Sequence, residues 1–119
     1  MTLHRDSLAQ LSAKLAKKEV SSVELTRHYL ARIEARQAAL NAFITVDAEK
    51  SLAQAAAADA RIAKAGAAPL TGIPIAHKDL FCAKGWRTTC GSKILSNFIA
   101  PYDAHEIEQF DRAGAVLRG

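Results

Sequence analysis

Cysteine is scarce in this chain: only Cys82 and Cys90 occur. Two cysteines make a poor disulfide framework, and their setting reads as reduced and cytoplasmic. No CxxC or HxxxH pair is present, so His77, His105, Cys82 and Cys90 lack the spacing of a metal site. No apolar run approaches the roughly 18 residues that a membrane span needs. The N-terminus has no apolar block followed by a small-residue cleavage site, so no secretory signal is visible. GxGxxG and GxxxxGK[ST] are both missing, which removes the sequence case for a dinucleotide site or a P-loop. A basic block is absent too. The formal charge of +4 is spread along the chain, compatible with an acidic partner such as a nucleic acid without pointing to one.

What is present suits one globular unit. The chain has 119 residues, half of them apolar, enough for a single domain and too few for two. Leu8, Leu11 and Leu15 recur at helical spacing and predict a helix over 7–17. Ser21 followed by Glu24 is a capping-box signature for a second helix over 22–37, with Asn41 in its exit turn. Phe43–Val46 combines aromatic and β-branched residues and predicts a strand. Asp47 caps an Ala-rich helix over 48–64, whose thin apolar face permits close approach to a neighbour and which Gly66 and Pro69 end. Ile94, Leu95 and Phe98 read as anchors of a turn or short helix. Asp103 with Glu106 then predicts a capped helix over 104–113, closed by Gly114, with a strand at 115–117. This alternation implies an α/β layer with too few strands to cover itself. The chain therefore reads as an N-terminal piece of a larger α/β protein, cut at Gly119.

The stretch from 70 to 93 is the one that carries chemistry. A short apolar strand over 73–77 runs into His77, Lys78 and Asp79, and a loop punctuated by Gly85 and Gly91 follows. Short strands that feed polar residues into Gly-rich loops commonly present catalytic groups in α/β enzymes. Lys78 is the candidate general base, against the plainer readings of an ion-pair partner or a surface lysine. A lysine base must be neutral, which partial burial and nearby donors favour. Asp79 need not face it, because adjacent residues of an extended strand point opposite ways. His77 reads first as a structural histidine bonding the loop backbone. Thr88, Thr89, Gly91 and Ser92 offer hydroxyls and amides for orienting a bound group, or for ordinary turn geometry. Neither cysteine has a neighbouring base that would make it a nucleophile.

Residues 69–93, PLTGIPIAHKDLFCAKGWRTTCGSK, resemble the lysine-bearing segment of the amidase signature family. Within it, the likeness is nearest to the A subunits of glutamyl-tRNA(Gln) and aspartyl/glutamyl-tRNA(Asn/Gln) amidotransferases. It extends through SNFIAPYDA at 96–104, AGAVL at 113–117 and ELTRHYLARIEARQAALNAFITV at 24–46, nearly the whole chain. His105, Phe110 and Arg118 depart from the usual pattern at the C-terminal end, and Arg118 falls where a core strand would continue.

The resemblance implies an α/β/α fold on a large mixed sheet, incomplete here. Residues 1–119 would form the N-terminal portion of one amidase domain: a helical start over about 1–40, then the sheet onset and lysine segment over about 41–119. It implies a glutaminase using a nucleophilic serine, a second serine preceded by a cis peptide bond, and a lysine. Lys78 matches the lysine; both serines lie downstream of this sequence, so the fragment alone is expected to be inactive. Ser92 and Ser96 match neither serine. The implied partners are subunits B and C in a heterotrimer, glutamine, and aminoacyl-tRNA reached through the complex. No membrane is involved, and no cofactor is expected in this chain, since the partner subunit uses ATP and Mg. Two alternatives are a small-amide hydrolase of the same family and a non-catalytic binding module.

Overall fold

The computed structural model describes residues 2–117. A 3-10 turn at Leu3–Arg5 leads into α1 (Leu8–Ala16), α2 (Ser22–Leu40) and α3 (Ala48–Ala63). Strand β1 (Pro74–Ile75), α4 (His105–Ala113) and β2 (Val116–Leu117) follow. The fold is helix-rich, with a small incomplete sheet. Its two strands pair in parallel, Pro74 opposite Val116 and Ile75 opposite Leu117.

Local chemistry sets the helix starts. The Ser21 hydroxyl accepts from the Glu24 amide while the Glu24 carboxylate accepts from the Ser21 amide, the reciprocal box expected there. Ser7 and Gln10 form a second such box at α1, from an equally readable S-x-x-Q pattern. Asp47 caps α3 by accepting from the Lys50 amide at 3.1 Å. Asn41 ends α2 in the left-handed conformation.

Packing is built around the strand pair. Leu3, Leu11, Leu15, Val20, Leu25 and Ile73 form one buried cluster, joined by half-buried Tyr29, Ile62 and Ile75. Ala83, Trp86, Ile107 and Leu117 form a second, which also touches Ile75. Ala55 and Ala58 pack on Val116 in a third, so the thin alanine face of α3 does bring that helix close to β2. Polar side chains of α3 complete this contact: Ser51 donates to the Leu117 carbonyl at 2.5 Å, and Gln54 accepts from the Leu117 amide at 2.8 Å.

Several sequence-based expectations require correction. Residues 43–46 are not a strand. Gln37 bonds the Phe43 amide and carbonyl, and Arg87 donates to the Ile44 carbonyl, so side chains occupy backbone groups that a sheet neighbour would use. The 73–77 strand shortens to Pro74–Ile75, matched to the two described residues of its partner. Asp103 does not cap α4. Its carboxylate accepts from the Lys84 amide at 2.6 Å, and Ala104 takes the cap position without a side-chain bond. Ala65, at φ 59°, adopts the left-handed turn after α3 where Gly66 was expected to end it. Ile94 anchors nothing and is 93% exposed. Arg118 lies outside the described residues.

Candidate active site

Lys78 sits three residues past the end of β1, where the chain turns through a bond from the Phe81 amide to the Lys78 carbonyl at 3.1 Å. Its side chain is exposed and, among the described residues, has neither an ion pair nor a hydrogen bond. The enclosure that a neutral lysine requires is therefore not formed by residues 2–117 alone. The loop after Lys78 folds onto itself instead of over the amine. Asp79 accepts from the Thr89 amide at 3.0 Å and from the Thr89 hydroxyl, and its carbonyl accepts from the Cys90 amide at 2.9 Å.

Lys78 opens onto a cavity of about 370 Å³, shared with Ala76, His77, Asp79, Trp86, Arg87 and the facing segment Ala42–Thr45. Arg87 fixes the two sides of this space by donating to the Thr45 hydroxyl at 3.1 Å, the Ile44 carbonyl at 3.1 Å and the Ser96 carbonyl at 3.3 Å. Arg87 was not singled out from sequence. The available signal was an Arg next to the chain's one tryptophan inside a Gly-punctuated loop.

Thr88, Thr89, Gly91 and Ser92 do not line the cavity. Thr89 is spent on Asp79, and its hydroxyl also accepts from the Gly91 amide at 3.2 Å. The Ser92 amide donates to the Thr89 carbonyl at 2.8 Å, which completes a compact turn. The Thr88 hydroxyl is buried with no hydrogen-bond partner among the described residues. His77 does not bond the loop backbone as expected. Its ring packs edge-on to Trp86 at 6.2 Å and 90°, and its Nδ1 is buried without a partner among the described residues. Burial pushes the His77 pKa below its ordinary 6.5, with Asp79 opposing, so the ring beside Lys78 is neutral at pH 7.

No group of three or more His, Cys, Asp or Glu able to hold a metal occurs among the described residues. No described helix is long and apolar enough to cross a membrane.

A strand-end lysine, a neutral histidine and a self-bonded Thr-Gly loop could serve many proteins. The family profile described as Amidase matches residues 24–119. This chain belongs to the amidase family. Among similar proteins, the A subunit of the glutamyl-tRNA(Gln) amidotransferase of Methylobacillus flagellatus is 66% identical over 95% of the chain, and that of Thiobacillus denitrificans 65% over 95%. The chain spans only 23% of the length of either relative. The amidase fold is matched as closely in three dimensions. The native peptide amidase of Stenotrophomonas maltophilia superposes with a TM-score of 0.90 at 33% identity, over 97% of this chain and 24% of that one.

Proposed function

We propose that this chain is the N-terminal part of the glutaminase subunit of a glutamine-dependent tRNA amidotransferase. The carrying observation is the 58–66% identity to A subunits of glutamyl-tRNA(Gln) amidotransferases across several bacteria. In this reading residues 1–119 are the opening portion of a single amidase domain, and later segments cover what is uncovered here. Exposed Leu80, Ile94, Phe98 and Ile99, together with the Thr88 hydroxyl and His77 Nδ1, buried without partners among the described residues, support that expectation.

Lys78 is the general base. In the completed domain it takes a proton, through an intervening serine, from the serine that attacks the glutamine side-chain amide. Ammonia leaves and water hydrolyses the acyl-enzyme. Thr89, Gly91 and Ser92 serve by holding the loop after Lys78 in shape, and the Thr88 hydroxyl supports the site by meeting a later segment. Subunits B and C complete a heterotrimer in which the partner subunit uses ATP and Mg to activate glutamyl-tRNA(Gln); use of Asp-tRNA(Asn) is decided by the whole complex. The site of action is the cytoplasm.

A second reading, a small-amide hydrolase, draws on the likeness to the peptide amidase, at about half the identity of the amidotransferase relatives. The exposed apolar residues argue against a self-contained binding module.

The test joins this chain to the remaining sequence of the Methylobacillus relative and coexpresses that organism's other two subunits. Ammonia release from glutamine and amidation of Glu-tRNA(Gln) are the expected outcome, with no ammonia from the 119-residue chain alone. Hydrolysis of peptide amides without glutaminase activity would replace the first reading with the second.

A further inference from the structure

Outside the cavity at Lys78, two histidines from separate elements meet. His4 lies on the turn Leu3–Arg5 and His28 on α2, with His4 Nδ1 and His28 Nε2 3.1 Å apart. The rings are coplanar within 16°, yet their centroids are 5.3 Å apart. That separation is too long for face-to-face stacking at so short a nitrogen contact. The rings lie nearly end to end, with one nitrogen donating a proton to the lone pair of the other. Such a bond requires a lone pair, and two imidazolium rings have none to offer.

We propose that His4 and His28 form a proton-operated latch that holds the N-terminal turn on α2 near neutral pH and releases it in acid. The surroundings set the direction. At His4, burial and then the charges of Arg32, His28, Arg5 and the amino terminus all disfavour the protonated ring. At His28, burial acts first, followed by Arg32 and the amino terminus. Tyr29 meets the His28 ring edge-on at 5.7 Å. Asp6, the acid following the turn, is engaged by Lys14 at 2.6 Å. Both histidines thus have folded pKa values below 6.5. The latch is fully effective above the unfolded value of 6.5 and is lost as pH falls through the lowered folded values.

Release has a target. Leu3, beside His4, is buried with Leu11, Leu15, Leu25 and Ile73, and Ile73 leads directly into β1. Opening the turn loosens the packing behind the strand that presents Lys78.

Hydrogen-exchange protection in the full chain tests this, measured at about pH 7.5 and about pH 5 and corrected for intrinsic exchange. The reporters are the Arg5 and Asp6 amides, bonded to Thr2 and Leu3 carbonyls, with the Leu25 amide as the core reference. Protection at Arg5 and Asp6 should fall on the order of tenfold relative to Leu25 on acidification. His28→Gln should remove that pH dependence, and Arg32→Gln, which leaves the histidine contact in place, should weaken it. Unchanged protection in the unsubstituted chain would overturn the proposal. So would an equal acid loss in H28Q.

Discussion

Asp79 gives its carboxylate to Thr89, accepting from both the amide and the hydroxyl, while its neighbour Lys78 has no ion-pair partner among the described residues. The sequence places an acid beside a candidate base, and the fold separates them by committing the acid to the loop. Lys78 is left for whatever approaches the cavity.

Substitution of Lys78 should therefore affect catalysis more than folding. In the completed enzyme, Lys78→Ala and Lys78→Arg should each lower glutaminase turnover at least about a hundredfold, the scale of a positioned base. Arginine keeps the charge but cannot release its proton at working pH. Subunit association, followed by size-exclusion chromatography, should persist in both. An active K78R would make Lys78 an ion-pair residue.

Asp79 should show the opposite pattern. Asp79→Ala removes two bonds to Thr89 and should cost about 2 kcal/mol in urea unfolding, as expected for hydrogen bonds to a charged acceptor. Thr89→Val keeps the amide bond to Asp79 but loses the hydroxyl's bond to Asp79 and its bond from the Gly91 amide, and should cost about as much. The losses for K78A and D79A should add in the double variant, and a coupling energy well above about 0.5 kcal/mol would mean that the two side chains interact after all.

His77 predicts a pH dependence. Its folded pKa lies below 6.5 because of burial, so protons favour the unfolded chain as pH falls. Its share of stability is complete above pH 6.5 and lost as pH drops through the folded value. His77→Phe keeps a ring against Trp86 and removes the titration. The acid branch of its stability curve should be shallower than that of the unsubstituted chain, and identical curves would contradict this.

A fourth expectation concerns α2. Asp59 on α3 accepts from the Ser22 amide at 2.6 Å and the Val23 amide at 3.1 Å, capping the first turn of α2 from another helix. Asp59→Ala should cost about 1 kcal/mol, while Asp59→Asn retains an acceptor and should cost less. Thermal unfolding of the two variants distinguishes them.

The features legible in sequence are those decided within a few residues. Ser21 with Glu24 and Asp47 with Lys50 each contain both partners of their own interaction. Phe43–Val46 has the composition of a strand, but strand formation also needs a neighbour's backbone, and here Gln37 and Arg87 answer first. Asp59, Ser51 and Gln54 serve backbone groups 37, 66 and 63 residues away, separations at which no local pattern speaks. At the candidate site, composition could nominate Lys78 only alongside plainer readings, and family likeness singled it out. The clamp role of Arg87 depends on Ile44 and Ser96 arriving together, which is a property of the folded chain.

Gly72 and Gly114 bear on how this site can vary. The Gly72 amide donates to the Gly114 carbonyl at 2.8 Å, and both residues have positive φ. A Cβ on Gly72 would meet Ser22 at 3.1 Å, and one on Gly114 would meet Thr71 at 3.0 Å. Two bare backbone positions thus clasp the stem of one long excursion, residues 72–114, and every site candidate lies within it. Because the cost of closing a loop grows only slowly with its length, residues can be gained or lost at exposed turn positions such as Lys93 and Ile94 while both ends of the excursion stay fixed. The stem makes the lysine-bearing segment a cassette, whose exposed turns can change in outline while α1, α2 and α3 stay in place.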